Sequence, residues 1–380
     1  MTGSNNEFQV FIKPVGAICN LSCSYCYYLG KKELYEAKKT LMSDEVLEKC
    51  IRDHFEATSS PLVTFSWHGG EPLLAGIDFY RKAGSIQRKL APRNVTILNG
   101  IQTNGTLLTE EWCRFLAEEK FFVGISIDGP EHLHNVNRVN IDGLPSFGNV
   151  IGGFRLLKRY GINTEILCVV NSMNVDYPLE VYNFFKSLDA SMITFLPLVE
   201  RVSDNGSVSS CSVPAKKFGV FLSEIFDEWI RNDIGKIKVQ VFEEALRTAF
   251  NQDHTLCIFK KDCGAVPVLE HNGDFYACDH FVNAEHYRGN IMETPLADLL
   301  SSKSQAAFGC NKSLSLPGYC RNCEVLSMCN GECPRNRFIM SPGGEYGLNY
   351  LCEGYKYFFN HCYPFVEAVR KVWLSNNSGS

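Results

Sequence analysis

The sequence lacks several features that mark particular classes of protein. It contains no run of about 18 apolar residues, so no membrane-spanning helix is expected. Its first residues are polar, without the basic and apolar regions of a secretory signal. Lys and Arg number 37 and Asp and Glu 42, and the resulting net charge of −5 gives no electrostatic reason to expect nucleic acid or an anionic membrane as a partner. No internal repeat or low-complexity tract is evident either. What remains is a globular chain of 380 residues, long enough for one large domain and a smaller one.

Cysteine, in contrast, is abundant, with 17 residues. In a chain without a visible export signal, metal ligation in a reducing compartment explains so many thiols better than a disulfide framework, and we expect a cytoplasmic location. Three cysteines share one N-terminal loop, and eight others fall into two C-terminal groups. The remaining six are expected to be small buried hydrophobic residues: Cys50, Cys113, Cys168, Cys211, Cys310 and Cys362.

The N-terminal loop has the spacing C-x3-C-x2-C, formed by Cys19, Cys23 and Cys26. Three thiols at this spacing can converge on one metal centre and leave a fourth corner without a protein ligand. A structural zinc site normally has four protein ligands, whereas a [4Fe–4S] cluster with one open iron can bind a cofactor there. The alternative is three buried apolar cysteines, which this spacing makes less attractive.

The region from Val10 to Leu198 alternates short β-rich runs with amphipathic helical stretches. Such alternation predicts a parallel sheet covered by helices, two of which are predicted to begin at the caps Ser43 and Thr109. Farther along, residues 238–250 read as one helix, and few helical periods follow Cys257 until Tyr355. Polar and glycine-rich motifs follow the predicted strands: the cysteine loop, Gly69–Pro72, Thr103–Gly105 and Ser126–Pro130. Because chemistry collects at the C-terminal ends of parallel strands, we expect these motifs to form one site. Six strand–helix units are too few for a closed eight-stranded barrel.

The cysteine loop, with Tyr25 before its third cysteine, resembles the cluster loop of the radical S-adenosylmethionine (SAM) enzymes. The resemblance implies an α/β fold, an open (βα)6 TIM-like partial barrel, and an open iron that chelates the amino and carboxylate groups of SAM. Gly69-Gly70-Glu71 resembles the GGE motif of that family, whose backbone binds the SAM amino group. The two glycines by themselves indicate only that a ligand can approach the backbone closely.

Four further positions match SAM contacts of this family. A hydroxyl and a guanidinium beyond a strand end can hold a carboxylate, and the resemblance assigns Ser126 and Arg138 to the SAM carboxylate and ribose. Tyr25 and Val199 match positions that contact adenine, largely through backbone atoms. The alternative for Arg138 is a solvated loop arginine.

The C-terminal cysteines follow two patterns, Cys257-x5-Cys263-x14-Cys278 and Cys320-x2-Cys323-x5-Cys329-x3-Cys333-x18-Cys352. Eight thiolates suffice for two [4Fe–4S] clusters, or for a pair of zinc sites. A tight β-hairpin is predicted from Val266 to Cys278. The set resembles the SPASM domain, a small cysteine-rich domain with two auxiliary clusters. The family pattern implies one cluster on Cys257, Cys263, Cys278 and Cys333, and an outer one on Cys320, Cys323, Cys329 and Cys352.

These patterns predict two domains. Residues 1–235 form the radical SAM partial barrel with one bridging helix, and residues 236–380 contain a second bridging helix, the SPASM domain and a C-terminal helix. The cofactors implied are SAM and three [4Fe–4S] clusters, one at the SAM site and two auxiliary.

Nearly the whole chain resembles the anaerobic sulfatase-maturating enzymes, through motifs such as Ile12-Lys13-Pro14, Ile101–Thr106 and Asn349–Cys352. The resemblance implies oxidation of a cysteine or serine of a sulfatase polypeptide to Cα-formylglycine without oxygen. It also implies Asp279 as the general base and a reduced flavodoxin or ferredoxin-like protein as electron donor. His68 departs from many members, in which glutamine is frequent.

Three alternatives stay open. Asp279 could be a turn aspartate at the exit of the hairpin, the reading that the residues alone favour. The chain could be another SPASM peptide maturase, which forms a thioether or carbon–carbon crosslink in a ribosomal peptide; such enzymes often carry an extra N-terminal domain, and only about ten residues precede the first predicted strand. It could also be a non-catalytic metal-stabilised binding module, which would not need Gly69–Glu71, Ser126 and Arg138 around an open cluster.

Overall fold

The computed structural model of the protein describes residues 8–35, 41–203 and 206–377. These residues form twelve β-strands, β1 to β12 in chain order: Phe11–Ile12, Leu62–Trp67, Thr96–Thr103, Phe122–Ser126, Thr164–Val170, Met192–Pro197, Lys238–Val239, Val268–Leu269, Asp274–Tyr276, Tyr287–Asn290, Arg337–Met340 and Tyr346–Asn349. They also form thirteen α-helices, α1 to α13: Asp44–Ala57, Ile77–Leu90, Glu110–Glu118, Glu131–Asn137, Phe147–Arg159, Pro178–Ser187, Ala215–Asn232, Gln240–Arg247, Leu296–Leu300, Lys303–Leu314, Gly318–Arg321, Leu326–Cys329 and Cys352–Asn377.

The strand–helix alternation predicted from the sequence is confirmed. Ser43 and Thr109 cap α1 and α3, since their side chains accept hydrogen bonds from the backbone N–H groups of Val46 and Trp112. Several elements were missed, and two of them lie where a different structure was expected. The stretch predicted as one helix from Lys238 begins as the short strand β7, and α10 lies in a region expected to have little helical periodicity.

The chain divides into two compact units. The first comprises residues 1–126, 137–164 and 264–309. Its strands lie in the order β10-β9-β8-β1-β2-β3-β4, with β1 to β4 parallel and β8, β9 and β10 antiparallel, which includes the predicted hairpin. Strand β8 pairs in parallel with β1. The first part of the cysteine-rich region therefore belongs to the same sheet as the strand that leads into the cysteine loop.

The second unit comprises residues 127–136, 165–263 and 310–380. Its strands β5, β6 and β7 are parallel, and β11 and β12 form a separate antiparallel pair. Helices α7 and α13 pack together around buried aromatic residues, including Phe226, Phe242 and Phe358. Parallel strands with helices in a mixed sheet confirm the predicted α/β class. The division of the chain near residue 235 stays a prediction.

The scattered cysteines follow the expectation in part. Cys50, Cys113, Cys168 and Cys362 are buried, whereas Cys211 is half-buried and Cys310 is exposed, so the expectation was wrong for the last. Across the described ranges, no helix has the length and apolar character required to span a membrane.

Two adjacent glycines of α5 give a matched test of its packing. A Cβ on Gly153 would lie 2.3 Å from the carbonyl oxygen of Gly105, whereas a Cβ on the exposed Gly152 would have no heavy atom within 4 Å. We expect Gly153→Ala to lower the free energy of unfolding by about 1–3 kcal/mol through overpacking. Gly152→Ala should raise it by roughly 0.5–1 kcal/mol because alanine favours the helix. Urea unfolding of both variants measures this; equal effects would contradict the close approach.

Candidate active site

The cysteine loop follows β1 in the first unit. Its backbone is held by the segment after α4: Ser22 N–H donates to Val139 O at 2.8 Å, and Ser24 N–H donates to Asn137 O at 3.0 Å. Cys19, Cys23 and Cys26 are all half-buried. These two hydrogen bonds tie the backbone of the loop to the end of α4 and to the residues that follow it.

The thiols of the loop lie in a common electrostatic environment. Burial raises the pKa of Cys19 to about 11, and the nearby Glu71, Cys23 and Cys26 act in the same direction. The sulfur of Cys19 accepts a hydrogen bond from Leu21 N–H at 3.4 Å. Three clustered thiols with an N–H donor on sulfur fit an Fe–S cluster, whose thiolate ligands accept such bonds.

No three His, Cys, Asp or Glu side chains in residues 8–35, 41–203 and 206–377 converge closely enough to chelate a single metal ion. A cubane cluster does not require such convergence, because each of its thiolates binds a different iron atom.

Gly69 and Gly70 allow two backbone segments to pack against each other. Gly70 N–H donates to Gly16 O at 2.9 Å, and Glu71 N–H donates to Ile18 O at 2.8 Å. A Cβ on Gly70 would lie 2.0 Å from Ile18 O, so only glycine fits. The backbone that approaches these glycines is the one that precedes Cys19. An ammonium group can only donate hydrogen bonds, so what the motif can offer it is backbone carbonyl oxygen.

The side chain of Glu71 is fully buried and points into the protein. Its carboxylate accepts hydrogen bonds from Leu73 N–H at 3.0 Å, Thr103 Oγ1 at 2.8 Å and Asn104 N–H at 2.7 Å. Burial raises the pKa of Glu71 to about 7, against the opposing effect of these donors. The carboxylate therefore joins the loops that follow β2 and β3.

Ser126, Tyr25 and Arg138 lie in the same unit as the cysteine loop. Arg138 is only 7% exposed, and its guanidinium lies 5.5 Å from the centre of the Tyr25 ring. The alternative of a solvated loop arginine is therefore wrong. Ser126 Oγ accepts a hydrogen bond from Gln102 Nε2 at 3.2 Å. Val199 is buried just after β6, in the second unit.

Asp279 lies directly after Cys278 and is buried. Its Oδ1 is 2.5 Å from Nζ of Lys13, which is completely buried, and its Oδ2 accepts a hydrogen bond from the Tyr27 hydroxyl. The carboxylate is thus directed toward β1 and the cysteine loop rather than toward the backbone of its own turn. The turn-capping alternative does not describe this geometry.

Lys13 also contacts the neighbouring His68, with 3.1 Å between Nζ and Nδ1. The same Nδ1 accepts a hydrogen bond from Gly69 N–H at 3.0 Å, and the ring stacks on Phe11 with 4.8 Å between ring centres. An Nδ1 that faces two donors carries no proton, so the neutral ring has its proton on Nε2.

The pKa values of Asp279 and His68 are shifted by burial and by nearby charges. Burial by itself raises the pKa of Asp279, but the Lys13 ammonium and the nearby His68 and His280 outweigh it and hold the pKa well below its usual range. Burial, supported by the charge of Lys13, lowers the pKa of His68 to about 3. At neutral pH Asp279 is therefore ionised and His68 is neutral.

Sequence reasoning gave no role to Lys13, Tyr27 or His68. The one available signal was the lysine within the otherwise apolar stretch Val10–Pro14, because a lysine in a buried strand needs an anionic partner. The partner is about 265 residues away in sequence and reaches Lys13 only through the pairing of β1 with β8.

The second unit brings together four cysteines of the predicted outer set. Burial raises the pKa of Cys329 and of Cys352 to about 12, and nearby cysteines contribute: Cys352 and Cys320 to Cys329, and Cys320 and Cys323 to Cys352. Cys352 also lines a cavity of about 780 Å³.

Three cysteines of the other predicted set, Cys257, Cys263 and Cys333, surround Lys312, which is 1% exposed. Its Nζ donates to the carbonyl oxygens of Cys257 and Ile258 at 2.9 and 2.8 Å. A buried cation among cysteines fits an anionic thiolate cluster, which would balance its charge. The fourth member, Cys278, belongs to the first unit.

Comparison with known families agrees with this arrangement. Residues 14–185 match the Radical SAM superfamily, and residues 257–324 match the SPASM iron-sulfur cluster-binding domain.

Two relatives align with almost the whole chain. A serine-type anaerobic sulfatase-maturating enzyme of Bacteroides thetaiotaomicron is 46% identical and covers 97% of this chain and 92% of its own. A cysteine-type anaerobic sulfatase-maturating enzyme of Clostridium perfringens is 32% identical, with 97% and 98% covered.

Solved structures agree with the sequence relatives. The native enzyme anSMEcpe with bound AdoMet superposes with a TM-score of 0.87 at 32% identity, over 96% of this chain and 99% of that one. The same enzyme with AdoMet and the Cp18Cys peptide gives the same TM-score. This chain therefore belongs to the anaerobic sulfatase-maturating enzymes of the radical SAM superfamily.

Proposed function

We propose that this protein oxidises a cysteine or serine residue of a sulfatase polypeptide to Cα-formylglycine under anaerobic conditions. The family relationship over nearly the full length supports this activity. The observation in the structure that carries it is the buried Asp279 carboxylate, held ionised by Lys13 in the same unit as the three-cysteine loop.

The cofactors are SAM and [4Fe–4S] clusters, one at the SAM site and two auxiliary. When bound, SAM and its cluster supply the removal of a hydrogen atom from the target Cβ. Within this proposal, the thiolates of Cys19, Cys23 and Cys26 hold the first cluster. Gly69, Gly70 and Glu71 offer backbone to the SAM amino group. The remaining SAM contacts are Tyr25, Ser126, Arg138 and Val199.

Asp279 is the proposed proton acceptor for the thiol or hydroxyl of the target residue. Lys13 and Tyr27 each bind one of its carboxylate oxygens, which fixes its orientation and leaves lone pairs for a substrate proton. The neutral His68 ring, held by Lys13 and Phe11, forms the adjoining wall. Burial of this group excludes water that would compete for the proton.

Eight C-terminal cysteines would hold two auxiliary clusters, which would supply an acceptor for the second electron of the oxidation. We assign one to Cys257, Cys263, Cys278 and Cys333, and the outer one to Cys320, Cys323, Cys329 and Cys352. The polypeptide partner is a sulfatase, and the electron donor is a reduced flavodoxin or ferredoxin-like protein. The reducing chemistry and the many thiols favour the cytoplasm.

The two rival activities are weaker. The crosslinking peptide maturase is not favoured, because the two aligned relatives are sulfatase maturases. A non-catalytic metal-stabilised module does not account for membership in an enzyme family, nor for a buried and ionised Asp279 beside the cysteine loop.

Mass spectrometry of a sulfatase-motif peptide, incubated anaerobically with the reconstituted enzyme, SAM and a reductant, tests the activity. A cysteine peptide should lose about 18 mass units on conversion to formylglycine, and a serine peptide about 2. Loss of about 2 units from the cysteine peptide, with no carbonyl detected by hydrazide capture, would point to a crosslink instead.

Asp279→Asn tests the proton acceptor. Formylglycine production should fall by at least about 100-fold, because asparagine cannot take up the proton, while SAM cleavage should continue in part. Asp298→Asn, at an exposed position of α9, is the matched control and should behave as the wild type. Unchanged product yield in Asp279→Asn would return this residue to a structural role.

Lys13→Met tests the charge that keeps Asp279 ionised. Without the ammonium, the largest effect that opposes burial is lost, so the pKa of Asp279 should rise. An acceptor must be unprotonated, so the rate rises with pH through its pKa. This limb should lie at higher pH in the variant than in the wild type. Lys82→Met, which removes an exposed ion pair with Asp44, should leave the profile unchanged.

Iron analysis tests the cluster assignment. Anaerobically reconstituted protein should contain about twelve irons per chain, as three cubane clusters require. Cys23→Ala should remove about four of them and abolish SAM cleavage. About four irons in the wild type, or stoichiometric zinc, would contradict the assignment of auxiliary clusters.

A further inference from the structure

The side chain of Asn104 lies against a sulfur of the cysteine loop. It is 8% exposed, and its Nδ2 lies 3.7 Å from Cys19 Sγ, within hydrogen-bond distance for a sulfur acceptor. The same sulfur already accepts from Leu21 N–H at 3.4 Å. Cys19 thus faces two N–H donors, one from its own loop and one from the loop after β3.

The orientation of the Asn104 amide is set by backbone. Its Oδ1 accepts hydrogen bonds from Thr106 N–H at 2.9 Å and from Thr106 Oγ1 at 2.7 Å. A backbone N–H can only donate, so the amide oxygen must face Thr106 and Nδ2 must face Cys19. Nδ2 also donates to Asn20 Oδ1 at 2.9 Å, and Asn20 Nδ2 donates to Thr106 Oγ1 at 2.8 Å. These bonds close a ring of three side chains.

The loop that carries Asn104 is held in place by the buried side chain of Glu71. Asn104 N–H and the Thr103 hydroxyl both donate to the buried carboxylate of Glu71, and Thr103 Oγ1 accepts from Gly105 N–H at 3.0 Å. Because Glu71 is itself tied to Ile18 O, the donor and the sulfur are held in a common frame. The contact is therefore a fixed part of the site.

We propose that Asn104 is a positioning residue that raises the reduction potential of the cluster held by Cys19, through the hydrogen bond from its Nδ2 to Sγ. This rests on the proposed role of Cys19 as a cluster ligand. Reduction adds negative charge to the iron–sulfur centre and its thiolates. An N–H dipole aimed at a thiolate sulfur therefore stabilises the reduced form more than the oxidised form.

The substitution Asn104→Ser removes the hydrogen-bond donor to Cys19 but keeps the turn at Thr106. A serine hydroxyl can still accept from the N–H two residues later, so the turn at Thr106 is kept, but it is too short to reach Cys19. Thr106→Val is the matched control. It removes the hydroxyl from the three-residue ring but retains the Thr106 N–H that orients the Asn104 amide.

The measurement is an EPR-monitored redox titration of the reconstituted full-length protein. The relevant signal is the one that changes when SAM is added, which separates this cluster from the auxiliary ones. At a fixed ambient potential, the ratio of reduced to oxidised cluster in Asn104→Ser should be about tenfold lower than in the wild type. This ratio corresponds to a reduction potential lowered by ~59 mV for a one-electron couple. Thr106→Val should titrate as the wild type.

The possible results distinguish a direct effect of the Asn104 donor from a loosening of the loop. A wild-type potential in Asn104→Ser, or an equal shift in Thr106→Val, would overturn it, the second because loosening of the loop would then be the cause. If Asn104→Ser binds less iron, Asn104→Thr, an uncharged variant whose hydroxyl can accept from Thr106 N–H but does not reach Cys19, is titrated instead. A potential unchanged there rejects the proposal, and a lowered one supports it. Formylglycine formation is scored separately, so loss of the proposed activity would leave this result readable.

Discussion

The buried carboxylate of Glu71 is the interaction on which the first unit depends. It binds the backbone of Leu73 and Asn104 and the hydroxyl of Thr103, while its own N–H binds Ile18 O just before the cysteine loop. The loops after β1, β2 and β3 thereby become one assembly. A buried carboxylate is costly, and the three donors offset that cost in part, since the pKa of Glu71 is still raised to about 7. The arrangement can form only because Gly70 lets the two backbones come into contact.

The pair of Lys13 and Asp279 follows a different rule. Burying both charges contributes little net stability, because desolvation offsets much of their attraction. Its effect is on chemistry, since the ammonium keeps a buried aspartate ionised and fixed. The pair also depends on the alignment of β1 with β8, which brings together residues that are far apart in the sequence. A residue that sequence reasoning left without a role thus controls the one proposed as the base.

Short sequence motifs were enough to predict parts of the chemistry of the site. The C-x3-C-x2-C spacing indicated an open cluster, and the glycine pair after β2 indicated close backbone approach. The sequence did not predict which group would approach the glycines. In the structure it is the backbone of residues 16–18. The alternation of strands and helices, the caps at Ser43 and Thr109, and the hairpin before Cys278 were recovered because each depends on neighbours in sequence. Strand β7, only two residues long, carries too little periodicity to detect.

The sequence by itself indicated an Fe–S cluster with an open iron at the first loop, because thiol spacing is a local property, while the resemblance to a known family supplied SAM and the auxiliary clusters. The sequence also determined the α/β class, because periodicity is local. Only the tertiary structure decided the electrostatics: that Asp279 meets Lys13 rather than its own turn, that Arg138 is buried, and that the Asn104 amide faces Cys19. Each of these joins residues that are distant in sequence. Burial and the placement of opposite charge arise only when the strands pair, and they set the pKa of Asp279.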